Sequence, residues 1–153
     1  MKPDTILRKS KTWKEYKSHL SSLSNKEKGD SFEALSKYYF QLDSKYATKL
    51  KHVWNLNKGE VPLSVRKKLN LPGSDEGIDL LAQTKEGEFW AIQCKYREDE
   101  SHSLTRKELS TFTDLAFAIC SGIDLALVCT TTDRFSHKLK MYEIGRASCR
   151  ERV

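Results

Sequence analysis

The sequence predicts an α/β fold: a central mixed sheet of about four strands flanked by helices, in the order α-β-β-β-α-β, with one extra helix in front. Three observations carry this. Two capping boxes head amphipathic stretches, two apolar runs flank a polar turn containing Gly87, and the run "DLALVCTTT" from Asp124 is apolar without alternation. Such a run is the mark of a strand covered on both faces.

Taken in order, Trp13, Tyr16 and Leu20 recur at helical spacing behind Thr12, which predicts a short amphipathic helix in an N-terminal extension of residues 1–22. In "SNKEKGDSFEALSKYYFQL", Ser24 and Glu27 fit a capping box, and Phe32, Leu35, Tyr39 and Leu42 make one stripe. A helix is expected from Lys26 to Leu42. Lys51 to Leu56 reads as a strand, and "VPLSVRKKLNLPGSDEG" as a short basic helix followed by a loop with Pro72 and Gly73. "GIDLLAQ", "TKEGE" and "FWAIQCK" then make a hairpin. Thr105 and Glu108 form the second capping box, with Leu109, Phe112, Ala116 and Ile119 on one face and Gly122 as the stop. After the last strand, "DRFSHKLKMY" is read as the start of another helix. The main domain is placed at residues 23–142.

With 153 residues, 38% of them hydrophobic, the chain is sized for one core. Lys and Arg total 27 against 21 acids, a net charge of +6 that favours a polyanionic partner. Cys94, Cys120, Cys129 and Cys149 form no C-x-x-C pair, which argues against a zinc knuckle or a disulfide scaffold and for reduced thiols. No apolar run approaches the ~18 residues of a membrane span, and the N-terminus lacks the apolar centre of a signal peptide. A cytoplasmic protein with no membrane partner is expected. The tail "EIGRASCRERV", residues 143–153, resembles the conceptual translation of a sequencing adapter. On that reading the natural chain continues beyond Tyr142, and the basic balance survives without the tail.

The chemistry concentrates between Asp79 and Lys95. Residues two apart on a strand share a face, so Gln93 and Lys95 point one way and Cys94 the other. A hairpin centred on Glu86 makes Asp79 and Gln93 cross-strand neighbours. Mg²⁺ takes hard oxygens, which the Asp79 carboxylate, the Gln93 amide oxygen and the Cys94 backbone carbonyl supply. Lys95 would then orient a nucleophile or offset developing charge during phosphodiester hydrolysis.

At "EGIDLLA", "AIQCKY" and "GDSFEALSKYY" the sequence resembles the PD-(D/E)xK nuclease superfamily, and within it the Mrr-like restriction endonuclease branch. The resemblance runs from Lys26 to Thr130. It implies a restriction-endonuclease-like core, duplex DNA as substrate, and Mg²⁺, with Mn²⁺ as substitute. It also places the helix acid at Glu33, the metal aspartate at Asp79 and the E/Q-x-K element at Gln93 and Lys95. Two departures stand out: Ile78 replaces the family proline, and Gln93 the middle acid, a weaker Mg²⁺ ligand than a carboxylate. Domains of this branch often open long restriction or helicase polypeptides, so missing C-terminal domains, a helicase motor among them, and a homodimer are implied partners.

Blander roles stay open for each residue. Asp79 can bond loop amides, Lys95 can be a solvated strand-end lysine, Glu33 can lie on a solvated helix face, and Asp75 and Glu76 read as loop acids. Arg66, Lys67, Lys68, Arg97, Arg106 and Lys107 flank the site in sequence as candidates for phosphate contact. Tyr96 and Trp90 read as packing residues, and His19, His52, His102 and His137 show no ligand spacing. Two functions from different classes follow: a Mg²⁺-dependent endonuclease, or an inactive DNA-binding or scaffold module that keeps the fold.

Overall fold

The computed structural model describes residues 2–73, 77–99, 105–131 and 140–146. The chain forms α1 (Pro3–Lys9), α2 (Trp13–Leu20), α3 (Asn25–Leu42), α4 (Ser44–Ala47) and β1 (Leu50–Asn55). A 3₁₀ turn at Leu56–Lys58 leads to α5 (Leu63–Leu69), then β2 (Leu80–Thr84) and β3 (Phe89–Lys95). Next come α6 (Arg106–Asp114) with a π-helical turn at Leu115–Ile119, β4 (Leu125–Thr130) and β5 (Lys140–Arg146).

Both capping boxes form as the sequence predicts. Ser24 accepts from the Glu27 N–H while Glu27 reaches back, and Thr105 and Glu108 do the same for α6. Thr12 likewise caps α2. The hairpin also holds: Leu80 pairs with Ile92, Leu81 with Ala91, Ala82 with Trp90 and Gln83 with Phe89, all centred on Glu86.

The sheet runs β1-β2-β3-β4-β5, with β3 and β4 parallel and every other pair antiparallel. Five strands stand where about four were expected. Lys140–Arg146, placed by the sequence in a continuing helix and its tail, instead pairs along β4. A buried β4 with one open edge would leave backbone groups unpaired, and this segment satisfies them. Residues 132–139, His137 included, lie outside the described residues, as do Asp75, Glu76, His102 and Cys149.

Side chains alternate cleanly across the sheet. Leu81, Ala91, Ala126 and Val128 face α5 and α6, while Leu80, Ile92, Leu127 and Cys129 face α3 and α4. β4 is buried at all six positions, as its unbroken apolar run predicts. Helices α1 and α2 add a small cluster of Ile6, Tyr16 and Leu20 that shares Leu35 and Tyr96 with the layer beneath. Two expected core positions are corrected. Leu42 is 77% exposed, because the end of α3 turns Phe40 inward instead. Ile119 is 57% exposed, because the π turn, closed by the Cys120 N–H to Leu115 carbonyl bond, shifts the helix phase and buries Leu115 and Ala116.

Candidate active site

At its C-terminal end β3 meets the start of β2 and the middle of α3. The Asp79 N–H donates to the Ile92 carbonyl at 3.0 Å, and just beyond, the Asp79 side chain replaces backbone as ladder partner. Its Oδ2 accepts from the Cys94 N–H at 2.8 Å and its Oδ1 from Asn57 Nδ2 at 3.2 Å. The same Asn57 amide donates to Glu33 Oε1 at 3.4 Å. Asn57 thus bridges the two acids, and α3 and the hairpin bring the Glu33 and Asp79 carboxyls near enough for each to shift the ionisation of the other.

Proximity of two acids in a half-buried pocket has an electrostatic consequence. Burial first, and the Asp79 charge second, push the Glu33 carboxyl up to about 8. Burial also raises Asp79, although the Cys94 N–H and Asn57 bonds and the charge of Lys95 work against it. The two acids therefore retain a proton between them at neutral pH.

The surroundings hold this pair in place. Lys37, one turn beyond Glu33, binds both Glu60 oxygens at 2.6 and 2.9 Å, and Glu60 Oε1 accepts from the Asn55 N–H. Burial opposes ionisation of Glu60, but the Lys37 bonds, the Asn55 N–H and the charges of Lys37 and Lys58 together outweigh it and hold the carboxyl below its usual range. This clamp fixes α3 against the turn that carries Asn57. On the far side of β3, Cys94 and Cys129 are register partners, and Cys129 Sγ donates to Ser36 Oγ at 3.3 Å. Burial and this neighbouring thiol raise Cys94 well above its ordinary value, so it packs as a neutral thiol.

Of the other residues singled out in the sequence, Gln93 is buried and its Nε2 donates to the Gly77 carbonyl at 3.3 Å, which leaves Oε1 as the atom to offer a ligand. Lys95 is half-buried, close enough to Asp79 to stabilise its charge, and forms no ion pair among the described residues. The basic candidates divide. Arg97 is committed to Glu108 at 2.5 Å, which ties the start of α6, with the exposed Arg106 and Lys107, to this end of β3. Arg66 donates to the Pro72 carbonyl, and Lys67 is exposed on α5. Lys68 lies over the Phe89 ring, six residues from Lys95 and so ~20 Å along the strand from it. Trp90 is core, Tyr96 packs on Phe32, His19 bonds Ser10 and His52 stacks on Trp54.

Sequence reasoning missed Asn57, which bonds both acids. Its only signal is position: "LNK" follows β1, and β1 lies beside β2, so the turn arrives next to Asp79, whose carbonyl accepts from the Leu56 N–H at 2.9 Å.

A family model described as a restriction endonuclease, Mrr_cat_2, matches residues 41–144, about two thirds of the chain. The chain belongs to this restriction endonuclease family. No curated protein and no solved structure matches it. The restriction endonuclease match spans Asn57, Asp79, Gln93, Cys94 and Lys95 and begins after Glu33. Family membership makes the domain a nuclease module, a hydrolase whose substrate is DNA. Among the described residues no helix is long and apolar enough to cross a membrane.

The donor set fits a divalent cation of the hard class. Two neighbouring carboxyls are hard oxygen donors, and such an ion could take the place of the proton they retain. Among the described residues no cage of three or more His, Cys, Asp or Glu groups occurs. Mg²⁺ needs none, since it takes one or two carboxylates and completes its shell with water and substrate phosphate.

Proposed function

We propose that this domain is a Mg²⁺-dependent endonuclease that hydrolyses phosphodiester bonds in duplex DNA. The observation that carries the reading is the meeting of the Glu33 and Asp79 carboxyls beside Lys95, with Glu33 raised to about 8. Glu33, Asp79, the Gln93 Oε1 and the Cys94 carbonyl would hold the ion. An extended residue carries its N–H and C=O on one edge of its strand, so the Cys94 carbonyl faces the edge whose N–H meets Asp79. When bound, Mg²⁺ supplies a Lewis acid that polarises the phosphoryl oxygen and lowers the pKa of a bound water.

The chain's own groups do the rest. Asn57 and the Cys94 N–H each fix one Asp79 oxygen, so the carboxylate cannot swing away from Glu33. Lys95 stands on the open side, where its ammonium steadies the attacking water or the charge that develops on the phosphate. Mn²⁺ has the same ligand preference and would substitute.

The second reading is an inactive module with the same fold. It is favoured by one feature: Gln93 spends its amide nitrogen on Gly77 and brings no charge to the ion. Calorimetric titration with Mg²⁺ separates the two. Binding in the low-millimolar range or tighter that disappears in Asp79→Ala supports the nuclease, and Gln93→Glu should bind the ion at least as tightly. A wild type that takes up no Mg²⁺ would establish the inactive module.

A further inference from the structure

We propose that Lys28 is a phosphate seat of this site and that Glu98 occupies it as a built-in competitor for the DNA backbone. The inference deepens the nuclease reading and rests on its treatment of this groove as the path of a DNA strand. The groove has a volume of about 570 Å³ and opens between the first turn of α3 and the end of β3, with Lys28 and Gly29 on one wall and Lys95, Arg97 and Glu98 on the other.

Gly29 connects the groove to the acid pair. It lies one turn ahead of Glu33 on the same face of α3, and beyond its chain neighbours and the helix's own backbone nothing lies within 4 Å of the point a Cβ would occupy. Bare helix surface therefore leads from Glu33 towards Lys28.

Lys28 and Glu98 form a close ion pair of unequal members. The Lys28 side chain is 11% exposed and the Glu98 side chain 59%. A lysine whose side chain is mostly buried is costly to leave without an anion, whereas an exposed carboxylate is content in water. Lys28 thus keeps an anionic partner whatever its identity, and Glu98 is the member that can be exchanged. A phosphodiester entering the groove offers the same charged oxygen acceptor. Lys28 then changes partner without ever being unpaired, and Glu98 returns to solvent. Arg97 does not take this part, since its guanidinium is held by Glu108.

Fluorescence anisotropy with a short labelled duplex, in EDTA to prevent cleavage and over a series of salt concentrations, tests this. Glu98→Gln should bind several-fold more tightly than wild type with an unchanged log–log salt slope, because Lys28 meets the phosphate in both complexes, whereas Lys28→Met should flatten the slope by ~0.9. Glu86→Gln, on the distant hairpin turn, controls for the loss of any one negative charge and should gain much less. On a Lys28→Met background, which keeps the apolar stem, the Glu98→Gln gain should vanish. A Glu98→Gln affinity equal to that of Glu86→Gln, or a gain that persists undiminished without Lys28, overturns the proposal. The Glu86 comparison decides alone if thermal melting shows that Lys28→Met does not fold. Mg²⁺-dependent nicking by wild type with no Glu98-specific gain defeats the competitor and spares the nuclease. A Glu98-specific gain with no nicking upholds the competitor and defeats the nuclease.

Discussion

Asp79 is bonded through both oxygens and stands beside Glu33, so changing it has two opposed effects. Removing the carboxylate leaves the Cys94 N–H without its partner, a loss of about 1–3 kcal/mol for a buried donor. It also removes the charge that helps to raise Glu33. Asp79→Asn is therefore expected to bring the Glu33 pKa down from about 8 towards 4.5, which carboxyl NMR titration reads directly. The wild-type pair carries a definite pH dependence. An acid whose folded pKa is raised binds more protons folded than unfolded, so its contribution is complete below 4.5 and is lost as pH rises through about 8. On the proposed function, Mg²⁺ would compete with that proton. The rise in melting temperature on adding Mg²⁺ should accordingly be larger at pH 8 than at pH 6, and the difference should shrink in Glu33→Gln. An equal shift at both pH values would remove Glu33 from the ion's surroundings.

At the level of elements, the π turn makes a prediction opposite to sequence periodicity. Phe112 and Ile119 share the expected apolar face of α6, but Phe112 is buried and Ile119 points out. Phe112→Ala should cost about 3–5 kcal/mol, while Ile119→Ser should stay within about 0.5 kcal/mol, both by urea denaturation. Similar losses at the two sites would contradict the shifted phase. Gly87 sits at φ 93° in the hairpin turn with nothing near its Cβ position, so Gly87→Val meets only backbone strain, about 1–2 kcal/mol. The hairpin was legible in the sequence because a glycine turn and two apolar runs leave one register that buries both faces. Leu42, Ile119 and β5 were not legible, since each depends on a helix end, a π insertion or an open strand edge created by the rest of the fold. The site divides in the same way. Asp79, Gln93 and Lys95 stand in one local motif, while Asn57, Lys28 and Glu98 reach it only through the pairing of β1 with β2 and the docking of α3 on β3.

On the scale of the molecule, the strands hand the acid pair, Lys95 and the groove to one end of the sheet, and the basic groups that could follow a DNA strand are spread unevenly around it. Arg106 and Lys107 are held near that end through the Arg97–Glu108 bond, whereas Lys68 belongs to the opposite end. The central claim is that two carboxyls and a lysine here form a working phosphodiesterase centre. Its most direct test is the nicking of supercoiled plasmid by the full 153-residue chain, with Mg²⁺ or with EDTA, beside Lys95→Ala. Nicking is predicted with Mg²⁺ alone, and Lys95→Ala should lose at least about 10²-fold in rate while its Mg²⁺ titration is nearly unchanged. Nicking that persists in EDTA, or a Lys95→Ala protein that cuts at the wild-type rate, would contradict the assignment.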